Sequence, residues 1–355
     1  MKCFLTFVMV LLTLTTCPAL GFVDTDAPKE DPEFDKAISR GAKTKIELHV
    51  VDDEGVPVPK ANVRVTLGMV TTVNIINGQT DTNGVFIIEG KTRGNEIIIQ
   101  PKKEGYYNSE KTIIYWGNVN IKVKNGRWQP YGEKITIVLR KKHNPSSSLI
   151  TDFYNTYFKK TKELNKWIGF DLEQNDYVEP YGNGKVSDFE IFIEWDGELD
   201  YSISTTGCVF NIRFTDQFGG FYAIDKALYS DFKGQYVANI NNNYSQYIEL
   251  GTKKNTEGEI KTDWFDKKKC WVVRSRCVVN EKGELISANY STIYRFDLCR
   301  EEDKSAGIRL IRVFNPKPND INLEPANIPT SDGFSIENLI KRHGIIGAPE
   351  PIKRD

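Results

Sequence analysis

A chain of 355 residues is too long for one small core and implies two domains with tails. Hydrophobic residues make up 39%, enough for real cores, and 16 Tyr with 19 Phe suit sheets better than helical bundles. A formal net charge of −1 leaves no global field to draw in nucleic acid or an anionic membrane, and nucleic-acid binding is set aside on that ground.

The first 21 residues (1–21) carry the marks of a signal peptide. Lys2 supplies the positive start, Phe4 to Leu14 the apolar stretch, and Ala19-Leu20-Gly21 the small residues where a peptidase cuts. The apolar stretch falls short of the roughly 20 residues that a bilayer span needs, and no later segment reaches that length, so no transmembrane segment is expected. Leu14-Thr15-Thr16-Cys17 departs from a lipobox at Thr16, where Gly or Ala is usual. A lipid anchor on Cys17 is therefore the lesser alternative to a soluble chain exported to the periplasm or the cell exterior. Residues 22–43, charged and holding Pro28 and Pro32, fit a flexible tether.

From 44 to 141 the pattern is that of strands. Lys45 to Val51 and Ala61 to Leu67 alternate with period two, and Val85–Ile88, Glu96–Gln100 and Lys134–Leu139 supply further strands. Turns fall at Asp52 to Gly55 and Thr80 to Gly84, where Asn or Asp beside Gly supplies positive φ. Short strands at such spacing predict a β-sandwich. The strings V-D-D-E-G-V-P-V-P-K-A-N-V (51–63), T-D-T-N-G-V-F (80–86) and K-K-E-G-Y-Y (102–107) resemble the carboxypeptidase regulatory-like, prealbumin-like family. That resemblance implies a Greek-key sandwich over 44–141. It implies no activity, because enzymes, transporters and surface proteins all carry the module.

Asn144-Pro145 followed by three serines marks a boundary, and Leu149 to Leu164 is expected to include a short helix. A second, larger β-rich domain with short helices is expected over 149–315. Its strand candidates are Asp188–Trp195, Cys208–Phe214, Tyr244–Leu250, Trp271–Val279, Ala288–Leu298 and Ile308–Phe314. The stretches 169–189 and 315–324 resemble uncharacterised secreted bacterial proteins that pair such a region with a prealbumin-like domain. Residues 316–355 read as a tail with one short helix, capped by Ser335 and ended by Gly344. The whole is expected to be all-β.

Four cysteines remain beyond the leader: Cys208, Cys270, Cys277 and Cys299. An even number in an exported chain points to two disulfides, and no C-x-x-C pair supports the alternative, a zinc site. Folding a hairpin at Asn280 to Gly283 suggests Cys270–Cys299, which leaves Cys208–Cys277. Three histidines in three separate segments, with no G-x-S-x-G elbow, argue against a His-based hydrolase.

The candidate ligand-binding residues are Asp171, Glu173, Asp176, Tyr177, Tyr181 and Asp188, in a Gly-rich loop where carboxylates and aromatics suit a sugar or a cation. The bland alternative is a solvated loop whose Asp side chains bond turn backbone. Trp116 and Trp128, with Tyr106, Tyr107 and Tyr115, suggest an aromatic platform for glycan, or else core packing. No cofactor motif is present. Calcium is the one ion that the oxygen pairs Asp81/Asn83 and Asp171/Asp176 admit, without complete EF-hand spacing. The expected function is an exported, non-enzymatic binding or structural protein with a protein or glycan partner. The alternative is a carboxylate-based glycoside hydrolase, or another carbohydrate-active enzyme, with its site near 171–188.

Overall fold

The computed structural model describes residues 31–68, 73–94, 96–115, 121–153, 157–195, 208–254, 260–263, 266–300 and 305–328. The signal peptide and the helix expected after Ser335 lie outside these residues. The fold is all-β, as the alternating patterns predict.

In the first half a helix, α1 (Pro32–Arg40), precedes nine strands: β1 (Ala42–Val51), β2 (Asn62–Gly68), β3 (Val73–Gln79), β4 (Val85–Thr92), β5 (Ile97–Lys102), β6 (Lys111–Ile113), β7 (Val123–Lys124), β8 (Arg127–Trp128) and β9 (Glu133–Val138). One sheet runs β4-β1-β8-β7 with β9 also against β1, and the other runs β3-β2-β5-β6. The period-two pattern is realised as burial. Ile46, Leu48 and Val50 of β1 share one core with Val63, Val65 and Leu67 of β2 and with Ile97 and Ile99 of β5. The turn before β4 demands glycine: Gly84 has φ +72°, and a Cβ there would stand 2.4 Å from the Val50 carbonyl oxygen.

Residues 32–40 correct the expectation of a flexible tether. Asp31 caps α1 by accepting from the N–H groups of Glu33 and Phe34, and Gly41 ends it. Phe34, Ala37 and Ile38, spaced i, i+3, i+4, pack on the sandwich core, with Phe34 edge-on to Trp128 at 5.6 Å.

Twelve strands follow: β10 (Ile150–Thr151), β11 (Lys159–Thr161), β12 (Trp167–Asp171), β13 (Asp176–Tyr177), β14 (Phe189–Trp195), β15 (Cys208–Arg213), β16 (Gly220–Asp225), β17 (Tyr247–Lys254), β18 (Ile260–Asp263), β19 (Lys269–Val279), β20 (Leu285–Arg300) and β21 (Ala306–Asn315). One sheet has the order β13-β12-β14-β15-β17-β18. The other has β10-β21-β20-β19-β16, with β11 also on β21. Inner residues of both, among them Phe170, Phe189, Ile212, Trp271, Phe296 and Leu310, form one core. The described part of 149–165 holds β10 and β11, paired antiparallel with β21, in place of the expected helix.

The sheet β10-β21-β20-β19-β16 is also covered on its second face. There Val272, Ala288 and Tyr290 are buried with Tyr222, Tyr244 and Leu323 from outside the central strands. Burial on both faces explains why β21 is buried almost throughout, without alternation.

The proposed disulfides are not present: Cys270, Cys277 and Cys299 form none. The register gives the reason. Trp271 pairs with Ile293, which carries Cys270 toward Tyr294, whereas Cys299 lies five positions further along, opposite Gly307. A residue at each end of a hairpin is close only if the count from the turn matches on both strands. Burial pushes the Cys270 thiol up to about 11 and the Cys277 thiol up to about 12, so both stay protonated at neutral pH. The side chain of Cys208 is outside the described residues.

A polar seam joins the two halves. The buried Arg140, just past β9, donates from Nη1 to the carbonyls of Phe232 (3.0 Å) and Gly234 (2.5 Å), and from Nε to Asp53 (3.0 Å). Its guanidinium also lies over the rings of Phe232 and Tyr236. Opposite in charge, the buried Glu324 accepts from Tyr107 Oη at 2.8 Å and from the backbone N–H groups of His143 and Asn144.

Candidate functional site

The acidic segment singled out in the sequence folds into a tight connection between β12, β13 and β14. Asp171 Oδ1 accepts from the N–H groups of Glu173 (2.8 Å) and Gln174 (3.1 Å), while Oδ2 accepts from Lys185 (2.8 Å) and Val186 (3.1 Å). Asp188 accepts from the Leu172 N–H at 2.7 Å and from Ser275 Oγ at 2.6 Å. Arg276 reaches these carboxylates from the opposite sheet. It stands at φ +51°, beside the register shift of β19. Its guanidinium donates to Asp171 (3.0 Å), Glu173 (2.6 Å) and Asp188 (3.0 Å).

The electrostatics agree with that geometry. Burial works to raise the Asp171 carboxyl, but the backbone N–H groups of Lys185, Gln174 and Val186 and the charge of Arg276 outweigh it and hold the group below its usual value. Asp188 lies deeper, and burial pushes its carboxyl up against the pull of Arg276 and Ser275. Arg276 is lowered by burial and raised more by Asp188, Glu173 and Asp171, so its charge is secure.

Of the other predicted members, Tyr177 is part of the core. Asp176 bonds Lys159 Nζ (3.3 Å) and Asn183 Nδ2 (3.1 Å). Tyr177 is buried edge-on against Phe170. Tyr181 remains 37% exposed, with Lys166 Nζ 4.4 Å from its ring centre. A glycosidase needs two carboxylates that flank a sugar and leave space for water or direct attack. Here Asp171, Glu173 and Asp188 converge on one guanidinium, and the oxygens of Asp171 are already taken by turn N–H groups. Asp171 thus bonds turn backbone, but it is buried together with Asp176 and Asp188 rather than solvated.

The other sites also change character. Asp81 Oδ1 accepts from the N–H groups of Asn83 and Val85, which makes it a turn cap. Among the described residues, no group of three His, Cys, Asp or Glu side chains could hold a metal ion. Trp128 does not form a platform. It is 1% exposed, donates from Nε1 to the Thr92 carbonyl, and packs between Phe34 and Tyr115. Trp116 lies outside the described residues.

A group not singled out in the sequence lies on the outer face of β12-β14-β15-β17. Ile168, Ile191, Ile212 and Ile248 point inward, so Trp167, Phe192, Arg213 and Tyr247 point outward. The register aligns Trp167 with Phe192 and Asn211, and in the next row Gly169 with Glu190, Arg213 and Tyr247. Trp167 and Phe192 are half-buried, with ring centres 5.4 Å apart. The Arg213 guanidinium lies 4.0 Å from the Trp167 ring centre and donates to Glu190 at 2.6 Å. Tyr247, 54% exposed, bonds Asn211 through its hydroxyl. Gly169 lets the 178–187 loop close over one edge of this face, since a Cβ there would lie 2.7 Å from Ser187 Oγ and 3.1 Å from a Val178 methyl.

No family model matches the chain, and no curated protein does. Solved structures give distant likenesses. 3-Chlorocatechol 1,2-dioxygenase from Rhodococcus opacus is 12% identical over 29% of this chain and 62% of its own, with a TM-score of 0.24. This chain thus spans less than two thirds of that enzyme. A DUF3823 family protein from Parabacteroides merdae is 8% identical over 76% of this chain and 98% of its own, with a TM-score of 0.20.

Proposed function

We propose that the chain is an exported, non-enzymatic binding or structural protein of the bacterial periplasm or cell surface. Its first half serves as a prealbumin-like module and its second half carries the binding surface. The observation that supports this over a glycoside hydrolase is the convergence of Asp171, Glu173 and Asp188 on Arg276. Carboxylates held this way have their lone pairs committed to the frame. The export part rests on Lys2, the apolar stretch and Ala19-Leu20-Gly21. No helix among the described residues is long and apolar enough to cross a membrane.

Two measurements test the reading. N-terminal sequencing of the protein recovered from periplasm or medium is expected to start near residue 22; recovery of an intact Met1 chain from the cytoplasm would sink the export claim. Reducing-end release from a panel of polysaccharides is expected to stay at background. Release that disappears in Glu173→Gln would restore the hydrolase.

A further inference from the structure

We propose that β3 is a self-association edge: it pairs antiparallel with β3 of a second copy of this chain about a two-fold axis, joining two sheets into one. This goes beyond the reading above and does not depend on what the second half binds.

An edge strand presents a row of unpaired N–H and C=O groups, and folded proteins guard such rows with charge, brevity or a cover. Strand β3 has β2 on one side, paired over all seven residues. Among the described residues no backbone group bonds its other side. Its sequence, Val73-Asn-Ile-Ile-Asn-Gly-Gln79, holds no charge and no proline. The other described edges are guarded. Strands β4, β9, β11 and β18 carry charged residues, and β7, β10 and β13 are two residues long. The Tyr229 carbonyl accepts from the Glu110 N–H just before β6, and Ser245 exchanges backbone hydrogen bonds with Phe221 of β16.

The side of the sandwich that β3 closes is apolar as well. Strand β4 is the edge of the facing sheet, and Ile76 of β3 and Phe86 of β4 pack on the core while only partly buried. The Phe86 ring fills the space at Gly78, where a Cβ would stand 2.3 Å from it. Ile75 is 44% exposed. Seven residues give an edge on the order of 20 Å long, and a second copy laid along it covers Ile76 and Phe86 together. Such an interface lies at the low end of specific contacts, below about 1,200 Å², so the dimer is concentration-dependent.

Two features select a second copy over a foreign strand. A charged edge repels its own duplicate but not a complementary stranger, so the lack of charge on β3 removes the barrier specific to self-pairing. Arg64 of β2, like Lys43, Lys45 and Glu47 of β1, sits one strand behind the edge. Each would stand ~14 Å from its mate, beyond a Debye length of about 8 Å. Strand β4 carries Glu89 and Lys91, one of each sign, and Lys45 is already on Glu89. Asp81, just past β3, falls at opposite ends of an antiparallel pair. The second feature is closure. A lone extended peptide on β3 would expose a new unpaired edge of its own. In a second copy the far side of β3 is already bonded to β2, so a two-fold pair leaves neither edge open.

Sedimentation velocity and amide exchange of the mature full chain, each over a dilution series, test this. Monomer at low and dimer at high concentration are expected, with the amides of β3 slowing as the dimer forms. Ile75→Lys, which places like charges about the axis, should weaken the dimer by about tenfold or more at an unchanged melting temperature. Ile286→Lys, at a site 53% exposed on β20, should leave the dimer as it is. Monomer alone at every concentration overturns the proposal. So does a dimer that Ile75→Lys leaves intact, or one that Ile286→Lys dissolves equally. Slow exchange of β3 that is the same at every dilution assigns the edge to another segment of this chain and also overturns it.

Discussion

Arg276 is the residue on which the acidic segment depends. Its side chain is 18% exposed, while that of Asp188 beneath it is fully buried. Removing the guanidinium leaves buried carboxylates without a counter-charge, which typically costs about 3–5 kcal/mol. Arg276→Ala is therefore expected to lower stability by that order in urea unfolding. A loss under about 1 kcal/mol would mean that the cluster is solvated and weak. Acid should act on the same group. The Asp171 carboxyl is held below its usual value, so its contribution is present above the unfolded value and is lost as pH falls through the folded one. Asp297 has the same sign: burial works upward, but Arg295 and Arg309 outweigh it. Asp188 has the opposite sign, since its carboxyl is raised and its protonation in acid favours the fold. Melting temperature should fall below about pH 4, and less steeply in Asp171→Asn than in the native chain.

At the scale of elements, Gly169 sets how closely the 178–187 loop approaches β12. Gly169→Val places branches where Ser187 and Val178 already stand. It is expected to cost on the order of 1–3 kcal/mol through overpacking and to raise proteolysis within 178–187. Unchanged cleavage there would show that the loop is held from elsewhere. The same elements show what was legible in the sequence. Strands β1, β2 and β14 bury one face and alternate, so period two revealed them. Strand β3 mixes Val73, Ile75 and Ile76 with Asn74, Asn77 and Gly78, which breaks its alternation, and β2 pairs along its length. Helix α1 was legible in principle through Phe34, Ala37 and Ile38, but it is only nine residues long and sits in a charged, proline-containing stretch. The outer face of β12-β14-β15-β17 was not legible. Trp167, Phe192, Arg213 and Tyr247 lie far apart along the chain, and only the order β12-β14-β15-β17 brings them together. Period two tells which way each side chain points, not which strands are neighbours.

For the whole molecule, the seam of Arg140 and Glu324 links the two sandwiches through buried polar contacts. Arg140 ties the end of β9 to the 232–236 segment, and Glu324 ties residues 143–144 and Tyr107 to the chain after β21. Arg140→Ala is expected to split a single calorimetric transition into two; one unshifted transition would show that the halves are coupled by other contacts. Whether the acidic segment holds the frame or turns over a polysaccharide is decided by melting temperature and polysaccharide turnover measured side by side for the native chain and Asp171→Asn. Neither protein is expected to turn over polysaccharide, and the variant is expected to melt at a clearly lower temperature. Turnover by the native chain that vanishes in Asp171→Asn, at an unchanged melting temperature, would contradict both expectations.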